Sequence, residues 1–224
     1  MYRVPRAVIF DVDGVLVDSY RAHLRSWQEL AAGQGCGLTE EQFMESFGQT
    51  SRDIIRRFWP PDGLTEDRIR ALDEQKEALY RRIVSESFPV MEGAVELLED
   101  LHRVGVLLAV GSSGPPENID LVLETLGRRS LIGAVVTGMD VTRGKPDPQV
   151  FLLAAGRLGA PPEQCVVVED APAGIRAAGA AGMAGVALLS TGRSEEDFRD
   201  VAPALVIRSL SELTPQILGS LTPS

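Results

Sequence analysis

Asp11 and Asp13 stand one residue apart in Phe10-Asp11-Val12-Asp13-Gly14-Val15-Leu16-Val17-Asp18-Ser19. In extended chain, that spacing puts both side chains on one side. Carboxylates so close repel, and they ask for a cation or a proton between them. Gly14 permits a tight bend directly afterwards. The alternative is a solvated, Asp-rich strand end. Three further stretches carry reactive residue types. Gly111-Ser112-Ser113-Gly114 offers hydroxyls and backbone amides. Gly144-Lys145-Pro146-Asp147-Pro148 holds a lysine in a stiff loop. Glu169-Asp170 follows three consecutive valines. Small residues with free N–H groups before a helix can hold an anion, although an ordinary Gly/Ser loop reads the same way. Lys145 alone also reads as a solvated loop lysine.

The elements around these stretches decide between the readings. Ala7-Val8-Ile9-Phe10 is a short apolar run that predicts a buried strand. Further strands are expected at residues 106–110, 134–137, 165–168, 185–189 and, more weakly, 204–207. Helices are expected at 92–104, 116–127, 148–158 and 171–182, with another closing the chain. This alternation argues for a parallel sheet covered on both faces. Residues 20–88 carry no strand pattern. Leu24, Trp27, Leu30 and Ala31 mark one helix, Thr39 caps a second, and Phe43, Phe47, Ile54, Ile55 and Phe58 suggest short packed helices. Residues 65–87 read as one long helix with Ile69, Leu72, Leu79, Ile83 and Val84 on its apolar stripe. The expected class is therefore α/β: a Rossmann-like parallel sheet core, residues 1–19 and 89–224, with an all-α insertion at 20–88. Ligands in such sheets bind outside the carboxyl ends of the strands. Asp11 and Asp13, Ser112 and Ser113, Lys145, and Glu169 with Asp170 all fall at or near such ends.

That placement selects a chemistry. Carboxylate oxygens suit Mg²⁺, a hard cation that keeps several waters. The metal and Lys145 together neutralise a phosphate in a site made of acids. Asp11 is a candidate nucleophile toward phosphorus, forming an aspartyl-phosphate. Such attack needs a cation to relieve carboxylate–phosphate repulsion.

Composition bounds the partners. The chain has 224 residues, 44% hydrophobic and 24% charged, a net charge of −10 and a pI near 4.8. That balance disfavours nucleic acid. Met1 to Arg6 run into the first strand without an apolar targeting segment, and no stretch has membrane-spanning length. Cys36 and Cys165 lack disulfide or metal spacing, which suits a reducing cytoplasm. The expected partner is a small phosphorylated metabolite, with no nucleic acid or membrane, and the expected state is a monomer or weak homodimer.

From Phe10 to about Gly192 the chain resembles the haloacid dehalogenase superfamily of phosphatases and phosphotransferases. The resemblance rests on four stretches in order: Asp11-Val12-Asp13-Gly14 with Asp18-Ser19, then Ser112, then Lys145 in Gly-Lys-Pro-Asp-Pro, then Glu169-Asp170. The insertion resembles the helical cap of the subgroup holding phosphoglycolate phosphatases and β-phosphoglucomutases. The resemblance implies that Asp11 is nucleophile and Mg²⁺ ligand. It implies that Asp13 is general acid/base, with its backbone carbonyl also on the metal. Ser112 and Lys145 would hold the transferring phosphate, with Ser113 beside them. Asp170 would bind Mg²⁺, with Glu169 a ligand or a partner of one. Asp13 argues against the metal-free dehalogenases, which lack it.

His23, Trp27, Arg52 and Lys76 are similar to residues that β-phosphoglucomutases carry in the cap. A bisphosphate intermediate needs a second anion site there, and Arg suits it. His23 and Trp27 as plain packing, and Arg52 and Lys76 as solvated charges, are the alternatives. Gly48-Gln49-Thr50-Ser51-Arg52 is also similar to plain phosphatases, and Pro115-Pro116 departs from the mutase pattern. The implied activity is a Mg²⁺-dependent phosphatase acting through an aspartyl-phosphate. A sugar phosphomutase and a non-catalytic phospho-ligand binder are the alternatives.

Overall fold

The computed structural model describes residues 3–46, 49–190 and 192–223. Phe47 and Gly48 lie outside the described residues. The chain divides into two compact units: residues 1–18 with 90–224, and residues 19–89.

The first unit is built on a six-stranded parallel sheet of order β3-β2-β1-β4-β5-β6. Its strands are β1 (Ala7–Phe10), β2 (Leu107–Gly111), β3 (Ala134–Val136), β4 (Cys165–Glu169), β5 (Ala184–Leu188) and β6 (Leu205–Ile207). β1 is central. Phe10 is in register with Val110 on one side and Val168 on the other. Every β1 side chain is fully buried, so a continuous apolar run was needed rather than an alternating one. The chain runs outward from β1 through β2 to β3 on one side and from β4 through β5 to β6 on the other, and the crevice between β1 and β4 is where α/β sheets bind ligands. The helices α5 (Ala94–Arg103), α6 (Pro116–Thr125), α7 (Gln149–Leu158), α8 (Pro172–Ala180) and α9 (Pro215–Ser220) belong to this unit. Ala7 and Ile9 pack with Val150, Phe151, Ala154, Val167 and Ala178, joining α7 and α8 to the sheet. The expected helix at 92–104 begins only at Ala94, because Gly93 takes a left-handed turn at its start. The one expected at 171–182 ends at Ala180, short of left-handed Gly182.

The second unit is helical: α1 (Tyr20–Gly33), α2 (Glu40–Ser46), α3 (Ser51–Phe58) and α4 (Glu66–Glu86). Thr39 and Gln42 cap α2 reciprocally, side chain to backbone in both directions. Thr50 and Thr65 accept from the backbone amides of Asp53 and Arg68 at the starts of α3 and α4. Trp27, Leu30, Phe43, Ile54, Ile55, Ile69 and Leu72 form one core, so this unit has an apolar interior of its own.

Candidate active site

β1 ends at Phe10, and Asp11 continues it by donating its amide to Val168 O of β4 at 3.0 Å. This carries its carboxylate to the end of β4, where Glu169 and Asp170 stand. Lys145 Nζ lies 2.6 Å from Asp11 Oδ1 and 2.6 Å from Glu169 Oε1. The Lys145–Pro146 peptide bond is cis. Oxygens of Asp11, Glu169 and Asp170 lie within 4.8 Å of one another, and all three residues are buried. The alternatives of a solvated strand end and a solvated lysine give way to a charge cluster largely withdrawn from water, with three carboxylates for one ammonium.

Two glycines make room for it. A Cβ at Gly14, whose φ is +75°, would collide with Asp170 Oδ2. A Cβ at Gly174 on the first turn of α8 would collide with Glu169 Oε1. Glu169 Oε2 also accepts from the Ala171 amide at 2.8 Å, beside the N-terminus of α8, where backbone N–H groups favour negative charge.

The electrostatics follow from that crowding. Burial pushes the Asp11 carboxyl up to about 7; Lys145 pulls against it, and Glu169 and Asp13 add to it. Burial also raises Asp170, helped by Glu169 and Asp11 and opposed by Arg193 and Ser190. Burial works against the charge of Lys145, but Asp11 and Glu169 outweigh it and hold the ammonium above its usual range. Three buried oxygen donors with an excess of negative charge fit a hard divalent cation. The side chains of that group are Asp11, Glu169 and Asp170; the Asp13 carboxylate is not one of them.

Asp13 is half-buried and forms a bridge with Val17, in the turn that carries the chain away from the sheet. A Cβ placed on Gly114 would lie 3.9 Å from Asp13 Oδ2 and 3.4 Å from Ser112 Oγ, which brings the Asp13 carboxylate and Ser112 to one loop. Ser112 is buried, its amide is held by Val136 O, and its hydroxyl accepts from the Gly114 amide at 3.1 Å. Ser113 is exposed.

The second unit holds the remaining candidates. His23 Nδ1 is 2.8 Å from Lys76 Nζ, and the His23 ring stacks on Tyr80 at 4.0 Å. Lys76 Nζ donates to Glu77 Oε1 at 2.9 Å and lies 5.4 Å from the ring centres of both Trp27 and Tyr80. Glu77 also accepts from Ser51 Oγ at 2.7 Å. Burial would raise Glu77, but Lys76 and His23 outweigh it and leave the carboxyl lowered. Lys76 is buried, which excludes the alternative of a solvated charge. Arg52 is an exposed partner of Asp73 at 3.0 Å. Glu77, Tyr80 and Ser51 were not singled out from sequence. Glu77 sits in a helix rich in charge, and only its burial distinguishes it.

The haloacid dehalogenase-like hydrolase family matches residues 5–182. Validoxylamine A 7'-phosphate phosphatase of Streptomyces hygroscopicus subsp. limoneus is 33% identical, over 87% of this chain and 89% of that protein. β-Phosphoglucomutase of Bacillus subtilis is 29% identical, over 95% and 93%. The crystal structure of CbbY from Rhodobacter sphaeroides in complex with xylulose-(1,5)bisphosphate aligns with a TM-score of 0.85 at 26% identity, over 93% of this chain and 96% of that one.

Proposed function

The chain belongs to the haloacid dehalogenase-like hydrolases, and we propose that it is a Mg²⁺-dependent phosphatase acting on a small phosphorylated metabolite. The observation that carries this reading is Lys145 bridging Asp11 and Glu169 beside Asp170, at the carboxyl edge of β1 and β4. Such a cluster has a nucleophile, a fixed cation and room for a second cation in one place. The similarity to a named phosphatase supports the direction of the chemistry.

In this reading an Asp11 carboxylate oxygen attacks phosphorus, and the bond from phosphorus to the ester oxygen breaks. Asp13 gives its proton to the leaving oxygen, then takes one from the water that cleaves the aspartyl-phosphate and releases inorganic phosphate. Lys145 and Ser112 hold phosphate oxygens, with Ser113 beside them. Asp11, Asp170 and Glu169 would hold Mg²⁺, and Asp13 would add its backbone carbonyl. When bound, Mg²⁺ supplies charge neutralisation between carboxylate and phosphate. The helical unit is read as the family's cap domain, with a cytoplasmic setting and no nucleic-acid or membrane partner. Among the described residues no helix is long and apolar enough to cross a membrane.

The test is release of inorganic phosphate from a panel of sugar and short-chain phosphates, with and without Mg²⁺. Turnover that requires Mg²⁺ supports the reading. No turnover of any of them, together with no labelling of Asp11 by acetyl phosphate, sinks it and leaves a phospho-ligand binder.

A second reading, a sugar phosphomutase, is favoured by the buried Lys76–His23 contact and by the similarity to β-phosphoglucomutase. Conversion of β-glucose 1-phosphate to the 6-phosphate, stimulated by the bisphosphate, would replace the phosphatase by the mutase.

A further inference from the structure

Of the three clustered carboxylates, two are aligned by other contacts. Asp11 and Glu169 share the Lys145 ammonium, and Glu169 is also held by the Ala171 amide. Asp170 is aligned differently. Its Oδ2 accepts from Ser190 Oγ at 3.2 Å, and Ser190 is 9% exposed. Ser190 follows β5, whose last residues pair with β4: Ala187 is in register with Glu169, directly before Asp170. The backbone fixes the hydroxyl. The Ser190 amide donates to Leu188 O at 2.9 Å, and Ser190 O accepts from the Arg193 amide at 3.1 Å. A Cβ on Gly14 would lie 3.0 Å from Ser190 Oγ as well as colliding with Asp170 Oδ2. Carboxylate, hydroxyl and glycine therefore interlock in one small space.

We propose that Ser190 is a positioning residue that orients the Asp170 carboxylate toward the divalent cation. This rests on the proposed metal-dependent reading of the same site. A hydroxyl donor to Oδ2 removes rotational freedom from Asp170 before the ion arrives, so less ordering remains to be done on binding. Without it, a buried carboxylate ringed by two others turns away from its neighbours and binds the ion less tightly.

The experiment is calorimetric titration of the metal-free full chain with MgCl₂. Ser190→Ala should weaken Mg²⁺ binding about tenfold, the low end of what ligand-orienting partners contribute. Ser190→Cys, which keeps the branching with a slightly larger atom but donates weakly, should weaken it similarly. Ser190→Thr keeps the hydroxyl and should restore the native dissociation constant to within about threefold. The Mg²⁺ concentration for half-maximal turnover should shift with the dissociation constant, while turnover at saturating Mg²⁺ stays near native. A merely structural role would instead lower the metal-free melting temperature and leave Mg²⁺ affinity unchanged in the folded variants. Native affinity in Ser190→Ala or in Ser190→Cys overturns the assignment. No Mg²⁺ binding by the native chain overturns the metal reading itself, and this inference with it.

Discussion

Each unit of the molecule holds one lysine whose side chain is largely withdrawn from water, 9% exposed for Lys145 and 3% for Lys76, and the two lysines are balanced differently. Lys145 meets two carboxylates at 2.6 Å, with a third beside them. Lys76 meets one carboxylate at 2.9 Å, an imidazole nitrogen at 2.8 Å and the faces of two aromatic rings. Its ammonium donates to Glu77 and lies within hydrogen-bond distance of His23 Nδ1. The Lys76 cluster is close to neutral as it stands. The Lys145 cluster retains negative charge that its own residues do not cancel. Burial of a lysine is thus a poor marker of a reactive site, and the sign of the residual charge around it is a better one.

The comparison breaks most sharply at Asp11 and Lys145. Asp11→Asn should lower turnover by at least about 10³-fold with the fold intact, as measured by phosphate release and circular dichroism. An active Asp11→Asn removes the nucleophile assignment. Lys145→Met should also cost at least about 10²-fold in turnover, because phosphate and nucleophile then share one uncompensated negative field.

The next effect is on stability. Lys76→Met leaves Glu77 without its ammonium in a buried place and should cost about 3–5 kcal/mol in urea unfolding. The double variant Lys76→Met with Glu77→Leu should recover most of that, because a neutral, self-balanced pair is replaceable by apolar packing. No cost in the single variant would end the description of this cluster as a structural pair.

A smaller effect comes from the metal. At Mg²⁺ a hundredfold above its dissociation constant, the native chain should gain about 2.7 kcal/mol. On a chain of this size that corresponds to a melting temperature about 5–10 °C higher. Lys76→Met should keep that rise and Asp11→Asn should lose much of it. An equal rise in all three would detach the metal from the Lys145 cluster.

The smallest effect belongs to an exposed pair that serves as the reference for both buried ones. Hydrogen bonds from Arg157, and then from the Thr137 amide and hydroxyl, lower the Asp140 carboxyl to about 2. A carboxyl lowered in the folded state contributes stability that is fully present above its ordinary value of 3.8 and is lost as pH falls toward 2. Asp140→Asn should therefore melt only about 2 °C below native at pH 6. The gap should close by pH 2. A gap that persists there assigns the loss to shape rather than charge.

The sheet and the site's residue types were legible because they share one cause. Four mostly buried apolar runs give way abruptly to polar residues, and parallel strands bring those ends to one edge. What sequence left open was the state of charge. Lys76 and Arg52 lie on charged helices and look alike in the chain, yet one is buried among aromatic rings and the other pairs with Asp73 at the surface. Periodicity places a residue on a helix face but does not say which neighbour covers that face. Ser190 was missed for a simpler reason. It stands after β5, at the same kind of strand end as Ser112, but with no charged residue directly beside it, so only its contact with Asp170 distinguishes it.

The order β3-β2-β1-β4-β5-β6 also governs when this chemistry can exist. Lys145 reaches Asp11 across 134 positions of chain, and Glu169 arrives 24 positions later still. A chain emerging from synthesis carries Asp11 from the outset, but Lys145 comes only with the loop between β3 and α7, and Glu169 only with β4. Contacts so distant in sequence form late and slowly. In the proposed reading, Asp11 therefore lacks its lysine and acid partners until residues 145–170 have been made and have folded against β1.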